Sequence, residues 1–160
     1  MAVYLFDSSA IVKRYVQESG TGWVQGLAHP RAGNLIYLAR ITAVEVCAAI
    51  ARRRRAGTIT PPEAAAFLAR FRLDLAQEYL ALEITASLLA DAMRLADAHE
   101  LRAYDAVQLA AALELDGRWL AAGMSGITLV SADQDLNTAA TADALGRTGR
   151  LRRQSTIDHA

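Results

Sequence analysis

The chain has 160 residues, 53% hydrophobic and 21% charged, with 17 basic side chains against 17 acidic ones; at ~150 residues per domain this predicts one compact domain and excludes disorder and fibre. No stretch approaches the ~20 uncharged apolar residues of a membrane span, and Met1-Ala2-Val3-Tyr4-Leu5-Phe6-Asp7 has neither a basic leader nor a long apolar core, so a cytoplasmic protein is expected. The single Cys47 and the scattered His29, His99 and His159 exclude an internal disulfide and a soft-metal site, while zero net charge leaves any polyanion to be held by a local basic patch.

Strand and helix signals alternate along the chain. Val3 to Phe6 is a short apolar run suited to a strand buried on both faces. Asp7-Ser8-Ser9 is rich in helix-capping residues and leads into a helical period over Ala10 to Val16, which Gly20 interrupts. A short helix over Thr21 to Ala28 stops at His29-Pro30, and Leu35 to Ala39 reads as a second strand. Thr42 then caps a helix that runs through Arg55, with Gly57 as its terminator. Thr60-Pro61-Pro62-Glu63 opens another helix to about Glu78. Leu80 to Glu83 is short enough for a third strand, Thr85 to His99 and Arg102 to Asp116 form two helices, and Ile127 to Val130 is the last clear strand. Ser131-Ala132-Asp133-Gln134-Asp135-Leu136 heads a final helix, and from Gly146 the chain is polar and basic, which predicts a loose tail. This alternation predicts a three-layer α/β/α fold with a mostly parallel sheet of four or five strands, whose carboxyl edge is the place for ligands.

The acids fall on that edge. Asp7 follows the first strand, Glu45 sits near the head of the helix after the second, and Asp133 follows the last. Asp105, ~40° around the helical wheel from Leu109, borders an apolar stripe and tilts inward. Each acid has a plain structural reading: Asp7 and Asp133 as helix caps, Glu45 as the partner of Thr42 in a capping box, Asp105 as the partner of Arg102. Together, four carboxylates at one edge repel one another unless a cation neutralises them. With oxygen ligands only, Mg²⁺ or Mn²⁺ is favoured, and such ions activate water and stabilise phosphoryl charge, so phosphodiester hydrolysis follows.

Four segments in order carry a resemblance: the opening strand with Asp7-Ser8-Ser9-Ala10, then Thr42-Ala43-Val44-Glu45, then Leu101-Arg102-Ala103-Tyr104-Asp105-Ala106, and last Ser131-Ala132-Asp133 with Leu136. Over about residues 3 to 140 the chain resembles the PIN-domain nucleases, and within them it is most similar to the VapC-type toxins of prokaryotic toxin–antitoxin pairs. The resemblance implies a PIN-like nuclease domain over residues 1–145; the polar, basic tail over 146–160 is longer than the resemblance accounts for. It implies a metal-dependent endoribonuclease in which Asp7, Asp105 and Asp133 hold Mg²⁺ or Mn²⁺ and Glu45 orients or deprotonates the attacking water. It also implies an RNA substrate, a homodimer and a small antitoxin whose C-terminal segment blocks the acidic pocket. The alternatives are a PIN nuclease for DNA or RNA processing outside such a pair, and a catalytically silent PIN binding module.

Arg52-Arg53-Arg54-Arg55 closes a helix, where cations favour the dipole; the functional alternative is contact with an RNA backbone or a partner. Arg147, Arg150, Arg152 and Arg153 share that ambiguity. Trp23, Trp119 and Tyr104 are expected in the core or at a dimer interface rather than stacked on bases, and Cys47 is expected as a small buried residue. Asp135 reads as helix surface, with a supporting place beside the metal as its alternative, and Gln108 carries no reading. Two other acidic phosphoryl-handling modules fall away: a receiver domain needs a lysine late in the chain, where Lys13 is the sole lysine, and a dehalogenase-like phosphatase needs an Asp where Ser9 stands.

Overall fold

The computed structural model describes residues 1–146 and 152–155. Strand β1 (Val3–Phe6) leads into helix α1 (Ser8–Ile11), a 3-10 turn and helix α2 (Thr21–Leu27); strand β2 (Leu35–Ala39) leads into α3 (Arg40–Arg55) and α4 (Pro61–Gln77). Strand β3 (Leu80–Leu82) is followed by α5 (Ala86–His99) and α6 (Ala103–Ala121), and β4 (Thr128–Ser131) by α7 (Gln134–Gly146) and β5 (Arg152–Ser155). The sheet order is β3-β2-β1-β4-β5 and every pairing is parallel, so all carboxyl ends share one edge. Val3 pairs with Leu35, and Leu5 with Leu129.

The period-2 alternation of the strands divides the core between two faces. Val3, Leu5 and Leu129 pack with Leu88, Leu95, Leu109 and Leu136 on the face covered by α5, α6 and α7. Phe6, Ile36, Leu38 and Val130 pack with Ile11, Val24, Ile50 and Phe71 on the face covered by α1 to α4. The result is the three-layer α/β fold that the alternation of apolar runs predicts. Among the described residues, no helix is long and apolar enough to cross a membrane.

Local differences from the sequence expectations have identifiable causes. The helical period over Ala10 to Val16 is split, with a 3-10 turn over Val12–Arg14. Helix α3 begins two residues before Thr42, straight out of β2, so Thr42 is not its cap; it is fully buried, and its hydroxyl accepts a hydrogen bond from Gln108. Helix α6 runs on past Asp116, whose buried carboxylate accepts from the Ile127 amide and anchors the entry to β4. Strand β5 lies inside the stretch read as a tail. Arg-Arg-Gln-Ser contains no apolar residue, so periodicity has no signal to find in an edge strand paired only with β4. The expected looseness at 147–151 and 156–160, with Arg147 and Arg150, lies outside the described residues.

Candidate active site

Asp7 directly follows β1 and turns the chain into α1. It is 3% exposed. Its Oδ1 accepts from the Ala10 amide at 2.8 Å, capping α1, and from the Ser9 hydroxyl at 2.8 Å, while its Oδ2 accepts from Ser131 at 2.7 Å. The Ser9 hydroxyl in turn accepts from the Ala132 amide at 2.8 Å, and the Ser131 hydroxyl from the Asp133 amide at 2.9 Å. The ends of β1 and β4 are thereby sewn together around one carboxylate. Asp133 caps α7 through the Leu136 amide at 2.9 Å. The capping roles expected for Asp7 and Asp133 are thus present, and each carboxylate keeps an acceptor position free of its cap bond.

Glu45 does not bond back to a helix cap, as a capping box with Thr42 requires. Its Oε2 accepts instead from Gln108 on α6 at 2.7 Å. It is half-buried, as are Asp105 in the first turn of α6 and Asp133. Asp135 is exposed and lines an open depression with His99, Glu100 and Thr138.

The electrostatics link these acids in a row. Burial pushes the Asp7 carboxyl up to about 6, against hydrogen bonds from Ser131, Ser9 and Ala10, and the Glu45 charge adds to the rise. Burial also raises Glu45; the hydrogen bonds from Gln108 and Ser8 and the charge of Arg52 oppose the rise, while Asp105 reinforces it. Asp105 is raised by burial first and then by Asp133, with Arg102 opposing and Asp135 adding. Asp7 therefore feels Glu45, Glu45 feels Asp105, and Asp105 feels Asp133. Each acid thus lies within electrostatic reach of the next, but among the described residues no group of three or more His, Cys, Asp and Glu side chains is placed to hold a metal ion.

The donor set nevertheless fits a hard divalent cation. It offers carboxylate, hydroxyl and amide oxygens with no sulfur or imidazole among them, and the raised carboxyls are groups whose charge is short of compensation. In addition, the buried Gln108 Oε1 has no hydrogen-bond partner.

Periodicity gave Gln108 no role, because a polar residue on an otherwise apolar stripe looks the same whether it is a satisfied core amide or part of a site. Of the arginine run, Arg53 pairs with Glu18 at 3.2 Å, whereas exposed Arg52 lies two helical turns from Glu45 and acts on its charge. Trp23 and Trp119 pack against the two core clusters, but Tyr104 is 55% exposed beside Asp105. Cys47 is half-buried, not buried, because the apolar face of α3 is carried by Val46, Ala49 and Ile50, one step around the helix.

Comparison with known proteins agrees with the fold. No curated protein sequence matches the chain. Among solved structures, it is similar to Mycobacterium tuberculosis VapC20, described as a sarcin-ricin loop cleaving toxin, at 18% identity and a TM-score of 0.57, covering 85% of this chain and 94% of that one. FitAcB from Neisseria gonorrhoeae gives 16% identity and a TM-score of 0.60 over 96% and 97% of the two chains. VapBC2 from Rickettsia felis, bound to a DNA fragment from their promoter, gives 11% identity and a TM-score of 0.60 over 96% and 98%. These likenesses are of fold. The family model for the PIN domain matches residues 4–142, and the chain belongs to the PIN-domain family.

Proposed function

We propose that the protein is a Mg²⁺- or Mn²⁺-dependent endoribonuclease and the toxin of a VapBC-type toxin–antitoxin pair. The observation that carries this reading is the buried Asp7 at the head of a row of mutually repelling carboxylates, on the carboxyl edge of a parallel sheet in a PIN-domain chain. Asp7, Asp105 and Asp133 are the residues to hold the ion, directly or through water. When bound, the ion supplies positive charge to the phosphoryl group and to the attacking water. Glu45 holds a carboxylate oxygen where it can orient that water and take its proton. Asp7 is kept in place by Ser9 and Ser131, so its position does not depend on the ion. Exposed Arg52 offers a guanidinium to the RNA backbone, and Tyr104 offers a ring to an unpaired base. The fold likeness to VapC20, VapBC2 and FitAcB supports the toxin reading and, with it, a homodimer and a small antitoxin partner.

Incubation of the purified protein with single-stranded RNA and with DNA of the same sequence, each with Mg²⁺ or Mn²⁺, tests the proposal. RNA is expected to be cut, cleavage to stop on chelation, and Asp7→Asn or Asp105→Asn to lower the rate by at least about 100-fold. Cleavage that survives chelation or either substitution overturns the metal-dependent mechanism. Cleavage of DNA alone moves the protein to the processing alternative.

A further inference from the structure

We propose that Gln108 is the positioning residue of Glu45: its side-chain amide fixes one carboxylate oxygen of Glu45 and thereby aims the other at the reacting water. The inference rests on the role of Glu45 proposed above. Gln108 lies one turn beyond Asp105 on α6 and is 1% exposed. A primary amide has two N–H bonds, and both are used. One is donated to Glu45 Oε2 at 2.7 Å, and the other to Thr42 Oγ1 at 2.8 Å. Thr42 and Glu45 are three residues apart on α3, so they share a face of that helix, and the amide grips both across the space between α3 and α6.

The orientation of the amide follows from chemistry. With nitrogen and oxygen exchanged, a carbonyl oxygen would face the carboxylate of Glu45, which has no hydrogen to offer when ionised. Held as it is, the donor also counters the repulsion of Asp105 on Glu45, and the amide does so at any pH because it does not ionise. The arrangement has a cost. Gln108 Oε1 is buried without a partner, and the neighbours Leu109, Ala110, Ala111 and Ala112 are all buried apolar groups. A methionine of equal length would satisfy packing at this position with no orphaned carbonyl, so packing alone does not account for glutamine here.

Gln108→Met removes both donors at constant length, and Gln108→His returns one, because its Nε2–H falls near the place of the amide nitrogen. Each is combined with measurement of kcat and KM on a labelled single-stranded RNA, melting temperature, and Mn²⁺ affinity by calorimetry. The expected result for Gln108→Met is a kcat lower by about 10- to 100-fold, with KM, Mn²⁺ affinity and melting temperature near those of the parent protein. Gln108→His recovers much of kcat. In a Glu45→Gln background, Gln108→Met has no further effect on the residual rate, since its target is gone.

A kcat for Gln108→Met within twofold of the parent, while Glu45→Gln is inactive, overturns this inference and leaves the nuclease reading in place. Full activity in Glu45→Gln overturns this inference together with the role proposed for Glu45, and leaves the metal-dependent nuclease reading to the chelation and Asp7→Asn tests. Should Gln108→Met not fold, Gln108→Leu takes its place beside Gln108→His: a folded Gln108→Leu with kcat within twofold of the parent contradicts the donor role, and one lowered about tenfold or more, with activity recovered in Gln108→His, supports it.

Discussion

Without a cation, ionised Asp7 sits where burial and the Glu45 charge both oppose it, and its carboxyl titrates near 6 instead of 3.8. Between these values the folded chain holds a proton that the unfolded chain has lost. The contribution of Asp7 to stability is therefore greatest below pH 4 and is lost as the pH rises through 6, by about 3 kcal/mol at most. Asp7→Asn removes the charge at constant shape. In metal-free buffer the variant is expected to gain on the parent steadily from pH 4 to pH 7 in melting temperature, and added Mg²⁺ at pH 7 is expected to raise the parent and not the variant. A difference that stays flat with pH would show that Asp7 is not short of compensation. The places of Asp7, Glu45, Asp105 and Asp133 are legible in the sequence because each lies just after a strand or within the first two turns of a helix. The hydrogen bonds Ser9–Ala132, Ser131–Asp7 and Gln108–Glu45 are not, since they join residues 123, 124 and 63 positions apart.

Within single elements, local signals are legible where the local chain supplies its own partners. Thr60-Pro61-Pro62-Glu63 forms the full capping box of α4: the Thr60 amide donates to Glu63 Oε2 at 2.7 Å and the Glu63 amide to Thr60 Oγ1 at 3.4 Å. Thr60→Ala is expected to cost about 1 kcal/mol, seen as a lower denaturant midpoint with an unchanged slope and unchanged RNA cleavage. An unchanged midpoint would mean that the box is idle. Where tertiary partners take over, the same kind of signal misleads. Thr42-Ala43-Val44-Glu45 has the capping-box spacing, yet both side chains are claimed by Gln108 from another helix. The loop after α1 shows the same dependence on distant partners: buried Asp74 of α4 accepts from the Tyr15 hydroxyl at 2.9 Å and pairs with Arg14 at 3.4 Å, a junction no local pattern announces.

For the whole molecule, the parallel sheet does the gathering. Residues 7, 45, 105 and 133 come from four separate crossover units, and only because all strands run the same way do the segments after β1, β2 and β4 open on one edge. Strand order and the polar edge strand β5 lay beyond sequence periodicity, since pairing partners are chosen by crossovers and not by composition. A neutral chain with a strongly acidic edge also divides its charge by place, with the Arg52–Arg55 run at the far end of the helix that carries Glu45. In the proposed function that separation gives the acidic end to an ion and the basic end to RNA phosphates. The proposed function requires the acidic edge to bind a hard cation through carboxylates contributed by different units, and calorimetric titration of Mn²⁺ into the metal-free protein at pH 7 measures that binding. Saturable binding to the parent, lost in both Asp7→Asn and Asp105→Asn while each remains folded, is the predicted result; binding of equal strength in all three proteins, or none in the parent, would contradict it.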